Sequence, residues 1–195
     1  MNKTLRILSL ASLALGLLAS AHAATETYAI DPVHSSVGFS IRHVFSKVPG
    51  SFTKFSGTFS LDQANLEASK VEATIEIASV DTRSEKRDEH LKSPEFFNVA
   101  KTPTITFKST AWKKTGADTY DVTGDLTIKG VTKSVVLQAK LLGFGPGLMG
   151  AYVSGWDVTT TLNRHDFGVD GPGWLGKAIG DEVAVTISIE ADLKK

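Results

Sequence analysis

The chain has 195 residues, with 21 basic and 21 acidic side chains, five histidines and no cysteine. Without cysteine there is no thiolate nucleophile, disulfide, iron–sulfur cluster or cysteine-ligated zinc. A balanced charge leaves no basic footprint for nucleic acid, and the length suits one domain that buries its own core.

The first residues read as a leader. Lys3 and Arg6 give a basic start, and residues 7–18 are mostly apolar. That run is too short for a bilayer, which takes about 20 apolar residues. Ala21-His22-Ala23 is a small-x-small cleavage site. The pattern is that of a secretory signal peptide, residues 1–23, cut after Ala23. With no second apolar run, export to a bacterial periplasm is expected. Residues 24–195 then form the domain, with 19 basic side chains left against 21 acidic once Lys3 and Arg6 are gone.

Residues 28–45 open with alternation: Val37, Phe39, Ile41 and His43 share one face, and Gly38, Ser40 and Arg42 the other. Such period-two patterning marks a strand with one apolar face. Val48-Pro49-Gly50 reads as a turn. Phe55, Gly57, Phe59 and Leu61 alternate next, followed by a polar turn and by Val71, Ala73, Ile75 and Ile77. Residues 82–97 break the pattern. Arg83, Glu85, Lys86, Arg87, Asp88, Glu89, His90 and Lys92 crowd together, then yield at Pro94 to Phe96 and Phe97. Thr82 with Glu85 three residues on has the form of a capping box, which predicts a short helix.

Alternation resumes at Ile105 and Phe107, then at Tyr120, Val122, Gly124, Leu126 and Ile128, closed by the hairpin signal Lys129-Gly130. Val131, Val135, Leu137, Ala139 and Leu141 follow, and residues 143–150, GFGPGLMG, read as a glycine-rich tip. A strand over 151–162 is expected to bend at Gly155. Residues 166–181 form a glycine-rich loop carrying Trp174 and Leu175, and Val183, Val185, Ile187 and Ile189 end the chain as a strand face. The fold class is all-β: eight antiparallel strands, with a helical insertion over about residues 83–97. Closure into a barrel removes edge strands, although a two-sheet sandwich has the same periodicity.

Catalytic signals are sparse. His34, His43, His90 and His165 sit at no metal-ligand spacing, so no metal site is expected. No Gly-x-Ser-x-Gly elbow is present, and Asp88 with Glu95 on a broken helix makes a weak carboxylate pair. The larger signal is the inward face: Val37, Phe39, Ile41, Phe59, Ile75, Ile77, Ile105, Phe107, Val122, Leu126, Leu137, Val185 and Ile187. These fill a packed core or line a tube for a long apolar chain; an eight-stranded barrel is wide enough for either.

Ile30-Asp31-Pro32-x-His34-Ser35-x-Val37-x-Phe39-x-Ile41-x-His43, Arg87-Asp88-x-His90-Leu91 with Phe96-Phe97, Pro103-x-Ile105-x-Phe107-x-Ser109-Thr110, Gly124-x-Leu126-Thr127-Ile128-x-Gly130-Val131-Thr132 and Arg164-x-Asp166-Phe167-Gly168 occur in that order. Together they resemble the YceI-like polyisoprenoid-binding family over essentially the whole mature chain.

The resemblance implies a lipocalin-like barrel with an apolar tunnel for one isoprenoid-type lipid: a polyprenyl phosphate, a quinone tail or a fatty-acid amide. Transport, storage or sequestration would be the purpose, with no enzyme activity and no required cofactor. Phe96 and Phe97 would close the tunnel, and Trp156 would sit in it or at its mouth. His34, Arg42, His43, Arg87, Asp88, His90 and Arg164 would supply the mouth or clamp the helix. Partners to consider are a lipid, a transient contact with a membrane or membrane protein, and a second copy of the chain. One rival reading is an enzyme that acts on a lipid head group through His34, His43, Asp88 or His90. Another is an interaction module docking through residues 143–150 and the Trp174 loop.

Overall fold

The computed structural model describes residues 25–194, and the expected signal segment lies outside them. Eleven strands are present: β1 (Glu26–Ile30), β2 (Ser36–His43), β3 (Ser46–Phe52), β4 (Phe55–Leu61), β5 (Lys70–Glu76), β6 (Val80–Asp81), β7 (Thr104–Lys114), β8 (Thr119–Ile128), β9 (Val131–Pro146), β10 (Tyr152–Asn163) and β11 (Ile179–Leu193). One α-helix, α1 (Glu85–Lys92), interrupts them.

Eight staves close into an antiparallel barrel. Three of them are broken in the middle. β11 pairs β1 near its end (Ile30 opposite Ala191) and β2 further back (Val37 opposite Ile187), so β1 and β2 form one stave. Their partners β4 and β3 form the next, and β5 with β6 the third. β7, β8, β9, β10 and β11 complete the circle, and the β1–β11 ladder shuts it. β6 pairs β3 at only two positions, Asp81 and Val80. Helix α1 packs beside β6, where the wall is thinnest.

The register explains two departures from the sequence reading. Val48-Pro49-Gly50 is strand, not turn: Pro49 lies opposite Ser40 and Gly50 opposite Phe39. Proline is tolerated because this half of β3 has a partner on one side only. The chain instead turns at Val44–Phe45. The expected bend at Gly155 appears as a bulge, with the register slipping between Gly155 and Trp156 so that Leu142 on β9 is unpaired.

One end of the barrel is filled with aromatic rings. Trp156, 1% exposed, stacks on Phe59 at a ring separation of 6.0 Å and meets Trp112 edge-on at 5.5 Å. Tyr120 and Phe144 complete the cluster at 6.4 and 6.3 Å. Both tryptophan N–H groups and the Ser154 hydroxyl are buried there without a hydrogen-bond partner, so packing rather than polar pairing holds this plug. Removing its central ring leaves a cavity the stiff barrel cannot collapse around. Trp156→Ala should therefore cost about 3–5 kcal/mol, seen in a thermal melt as a fall in Tm of roughly 6–20 °C.

Candidate functional site

Above the plug the barrel is hollow. A cavity of about 440 Å³ runs up the axis. Phe39, Ile75, Leu137, Val158, Val185 and Ile187 face it and remain only partly buried, although they sit on the inner side of the wall. A packed interior would bury them.

Two glycines keep the lumen open. A Cβ on Gly50 would lie 2.3 Å from Cζ of Phe39, and one on Gly124 would lie 2.4 Å from Cζ of Phe107. Each ring rests on bare backbone across the ladder, which holds it to the wall and off the axis.

Of the apolar residues expected to line a tunnel, Val37, Phe39, Ile41, Phe59, Ile75, Phe96, Phe97, Ile105, Phe107, Val122, Leu126, Leu137, Trp156, Val185 and Ile187 do line this cavity. Ile77 does not. β5 ends at Glu76, a 3₁₀ turn over Ile77–Ser79 breaks the alternation, and Ile77 is fully buried elsewhere in the core. Trp156 belongs to the closed end and not to the mouth. Val48, Phe52, Val158, Leu162, Leu175, Ile179 and Val183 were absent from the expected set and line the cavity too. Period-two parity was the signal that would have found Val158, Leu162 and Val183.

The ionisable side chains along the lining are all basic. Arg42, His43, Arg87, His90 and Arg164 contribute to it, and no aspartate or glutamate does. They come from the β2 end, α1 and the β10 end, so they gather at the end opposite the plug. Arg42 donates to the carbonyls of Val44 and Lys177 at 3.2 Å each, and Arg87 to the Thr82 hydroxyl and carbonyl at 2.7 and 2.6 Å. Neither forms an ion pair with a carboxylate of the described residues, so hydrogen bonds position both guanidiniums without neutralising them. His34 is elsewhere. It bonds Asp31 at 2.5 Å and approaches Glu190 at 3.8 Å, roughly 35 Å of strand from the mouth end of β11.

Thr82 is the hub of the cap. It is 3% exposed. Its N–H and hydroxyl both donate to Asp88 Oδ1, at 2.9 and 2.5 Å, while the hydroxyl accepts from Arg87. The capping box expected at Thr82 and Glu85 is not formed: Ser84 is the N-cap residue and makes no side-chain cap. Thr82 lies two residues before the N-cap, and its hydroxyl oxygen accepts from Arg87 instead of from a helix N–H. Asp88 is thereby spent on the clamp and does not reach the cavity. α1 has no fully buried residue, so this knot replaces the apolar face that normally seats a helix. His90 bonds Glu95 at 2.7 Å and meets the edge of Phe96 at 5.0 Å.

A strap crosses the rim between Gly168 and Ile179. Arg164 holds it through Val169 O at 3.0 Å, Gly180 O at 2.9 Å and Asp170 O. His165 bridges Asp170 at 2.5 Å and Asp181 at 3.0 Å, and these two bonds, Asp170 first, hold its imidazole above the ordinary histidine range. Leu175 lines the cavity from beneath.

Two outcomes follow from this arrangement. Asp88→Ala strands two buried donors of Thr82 and should cost about 1.5–3 kcal/mol, with hydrogen-exchange protection lost over α1. For the strap, the bound histidine has the higher proton affinity. Its contribution is therefore complete below the unfolded value near pH 6.5 and is lost as pH rises through the raised folded value. Exchange over residues 170–178, corrected for intrinsic rate, should accelerate across that rise, and His165→Gln should flatten the profile.

Residues 28–191 match the family model for the YceI-like domain. A "UPF0312 protein" of Azotobacter vinelandii is 45% identical over 187 residues, covering 93% of this chain and 96% of the relative. One of Pseudomonas syringae pv. syringae is 46% identical over 192 residues, covering 96% and 98%. Among solved structures, Burkholderia cenocepacia BcnA superposes with a TM-score of 0.76 at 25% identity, over 83% of this chain and 98% of that one. The Campylobacter jejuni YceI protein gives 0.69 at 33%, over 77% and 88%. A polyisoprenoid binding domain from Saccharophagus degradans shares the fold, with a TM-score of 0.65 at 17% identity over 86% and 98%. A closed barrel with a hollow apolar axis, over a domain matched almost end to end, makes this chain a member of the YceI-like family.

Proposed function

We propose that the protein holds one long-chain isoprenoid lipid in the barrel, tail toward the aromatic plug and head group at the basic rim, for transport, storage or sequestration. The observation that carries this reading is the lining: apolar along the axis, with every ionisable side chain basic and gathered at one end. Such a tube suits a single-chain amphiphile. Each methylene moved from water contributes about 0.8 kcal/mol, so a tail of some fifteen carbons outweighs the cost of ordering it. Arg42 and Arg87, free of carboxylate partners, favour a phosphate head; a quinone or amide oxygen could use the same donors.

The family and the likeness in fold to a polyisoprenoid binding domain support a lipid as ligand. The leader pattern of residues 1–23 supports the periplasm as the compartment. No observation favours head-group catalysis: His34 and Asp88, two of the four side chains invoked for it, stand outside the cavity.

The test is direct. Protein purified from membrane-containing cells, extracted with organic solvent and analysed by mass spectrometry, should yield one long-chain lipid per barrel; an empty extract counts against the reading. Gly50→Ala should push the Phe39 ring into the lumen and lower lipid content while the fold, by circular dichroism, is kept. Arg42→Gln should reduce retention of a polyprenyl phosphate more than of a quinone. Equal loss of both would remove the phosphate from the proposal.

A further inference from the structure

We propose that the open end of the barrel is a membrane-docking face, on which Phe45 at the β2–β3 tip and Trp174 on the strap insert into an anionic bilayer and set the cavity mouth against it. This rests on the reading of the cavity as a lipid site, and it adds the surface from which the lipid is exchanged.

Phe45 is fully exposed and Trp174 is 78% exposed. The turn that presents Phe45 is unusual. β2 and β3 are joined by Val44 and Phe45 alone, and Val44 has φ of 50°. A two-residue hairpin turn normally places glycine, asparagine or aspartate in that conformation. A β-branched residue there is an outlier, and such strain persists where function holds it. The chain thus keeps two large apolar side chains at a water-facing tip where small polar ones would fold more easily.

The two tips adjoin. Val44 N–H donates to Ala178 O at 2.7 Å, and Arg42 to Lys177 O at 3.2 Å. Arg42, Lys47 and Lys177 surround them, and no aspartate or glutamate occurs from Pro32 to Leu61 or from Gly171 to Gly180. Nearby Asp181 is engaged by His165 and Arg164. Arg42, His43 and Leu175 also line the cavity, so apolar anchors, free positive charge and the opening share one face. Aromatic anchors with basic neighbours are what an anionic lipid surface retains. At the plugged end Leu148 is also exposed, at 86%. No basic side chain lies between Leu141 and Ala151 and no residue from 142 to 152 lines the cavity, so it serves as the control.

Cosedimentation of the lipid-loaded protein with vesicles of phosphatidylcholine, with and without phosphatidylglycerol, tests the face. Binding should require phosphatidylglycerol and weaken with salt. Phe45→Ser with Trp174→Ser should weaken it by roughly tenfold or more, Lys47→Gln with Lys177→Gln should weaken it and reduce its salt dependence, and Leu148→Ser should leave it unchanged. None of these residues lines the cavity, so circular dichroism and lipid content by mass spectrometry should stay as in the parent. Failure of the parent to bind phosphatidylglycerol vesicles, or parental binding by the aromatic double variant, overturns the docking face while the carrier reading stands. An empty extract from a protein whose vesicle binding still depends on Phe45 and Trp174 overturns the carrier reading and leaves the docking face.

Discussion

Closure of the β1–β11 ladder is the constraint on which the rest depends. Once eight staves meet, the inner side chains point at a common axis, and an unpaired edge remains only along β3 and β6, beside α1. A barrel of this size can be filled by its own side chains, and this one is filled only at the end around Trp156. The open part gives up dispersion contacts that a packed core would make. Its stability must come from the ladder, the plug and the outer rim. Burial largely has that distribution: of the fully buried large side chains, Trp156, Tyr28 and Leu61 lie at the plugged end and Ile77 does not, while the inner faces of β2, β10 and β11 nearer the mouth are only partly covered. The cavity is a place where apolar surface was left without a partner in the chain.

Most of this architecture is legible in the sequence because a barrel writes itself in period two. Val37, Phe39 and Ile41, or Val183, Val185 and Ile187, name an inner face with no further information. Parity fails in characteristic places. It tells which face a residue is on and not how high it sits, so Trp156 could be assigned to the tube but not to its floor. It breaks where a strand ends, and Ile77 rotates out of the lumen at a 3₁₀ turn that no local residue type announces. Pro49-Gly50 carries turn chemistry in its composition, yet lies in strand because one side of β3 is unpaired and because Phe39 needs a residue without Cβ beneath its ring. That second reason is a contact across the ladder, invisible along the chain. The Thr82–Asp88 knot is similar: the same threonine offers a capping box locally, yet its hydroxyl accepts from Arg87 and donates to Asp88 instead of accepting from the helix.

The rim shows how positive charge is kept available. Arginines near a protein surface commonly pair with carboxylates, which fixes them and cancels their field. Arg42 and Arg87 are instead held by carbonyls and a hydroxyl, which orient the guanidiniums at little cost to their charge. The one carboxylate beside Arg87, Asp88, is turned to Thr82. On the strap the pairing runs the other way. Arg164 and His165 gather Asp170 and Asp181 on the outside, so these two carboxylates are paired where they stand. The field inside the rim is left to the basic groups, which would not follow from a chain whose basic and acidic totals are equal.

On the proposed reading, that arrangement serves binding. Catalysis needs groups whose proton affinities are pulled apart and aimed at one reacting atom. Here the two histidines with raised proton affinity, His34 and His165, spend their hydrogen bonds on Asp31 in one case and on Asp170 and Asp181 in the other. Both pairs serve the shape of loops: one where β1 breaks from β2, the other where the strap leaves the wall. The groups that do face the cavity differ in kind from a reacting pair. They are basic donors set around an apolar hole, which on the proposed reading orient a head group. On the proposed lipid-holding reading, a site built this way gains its specificity from length, apolar area and the charge of the head group.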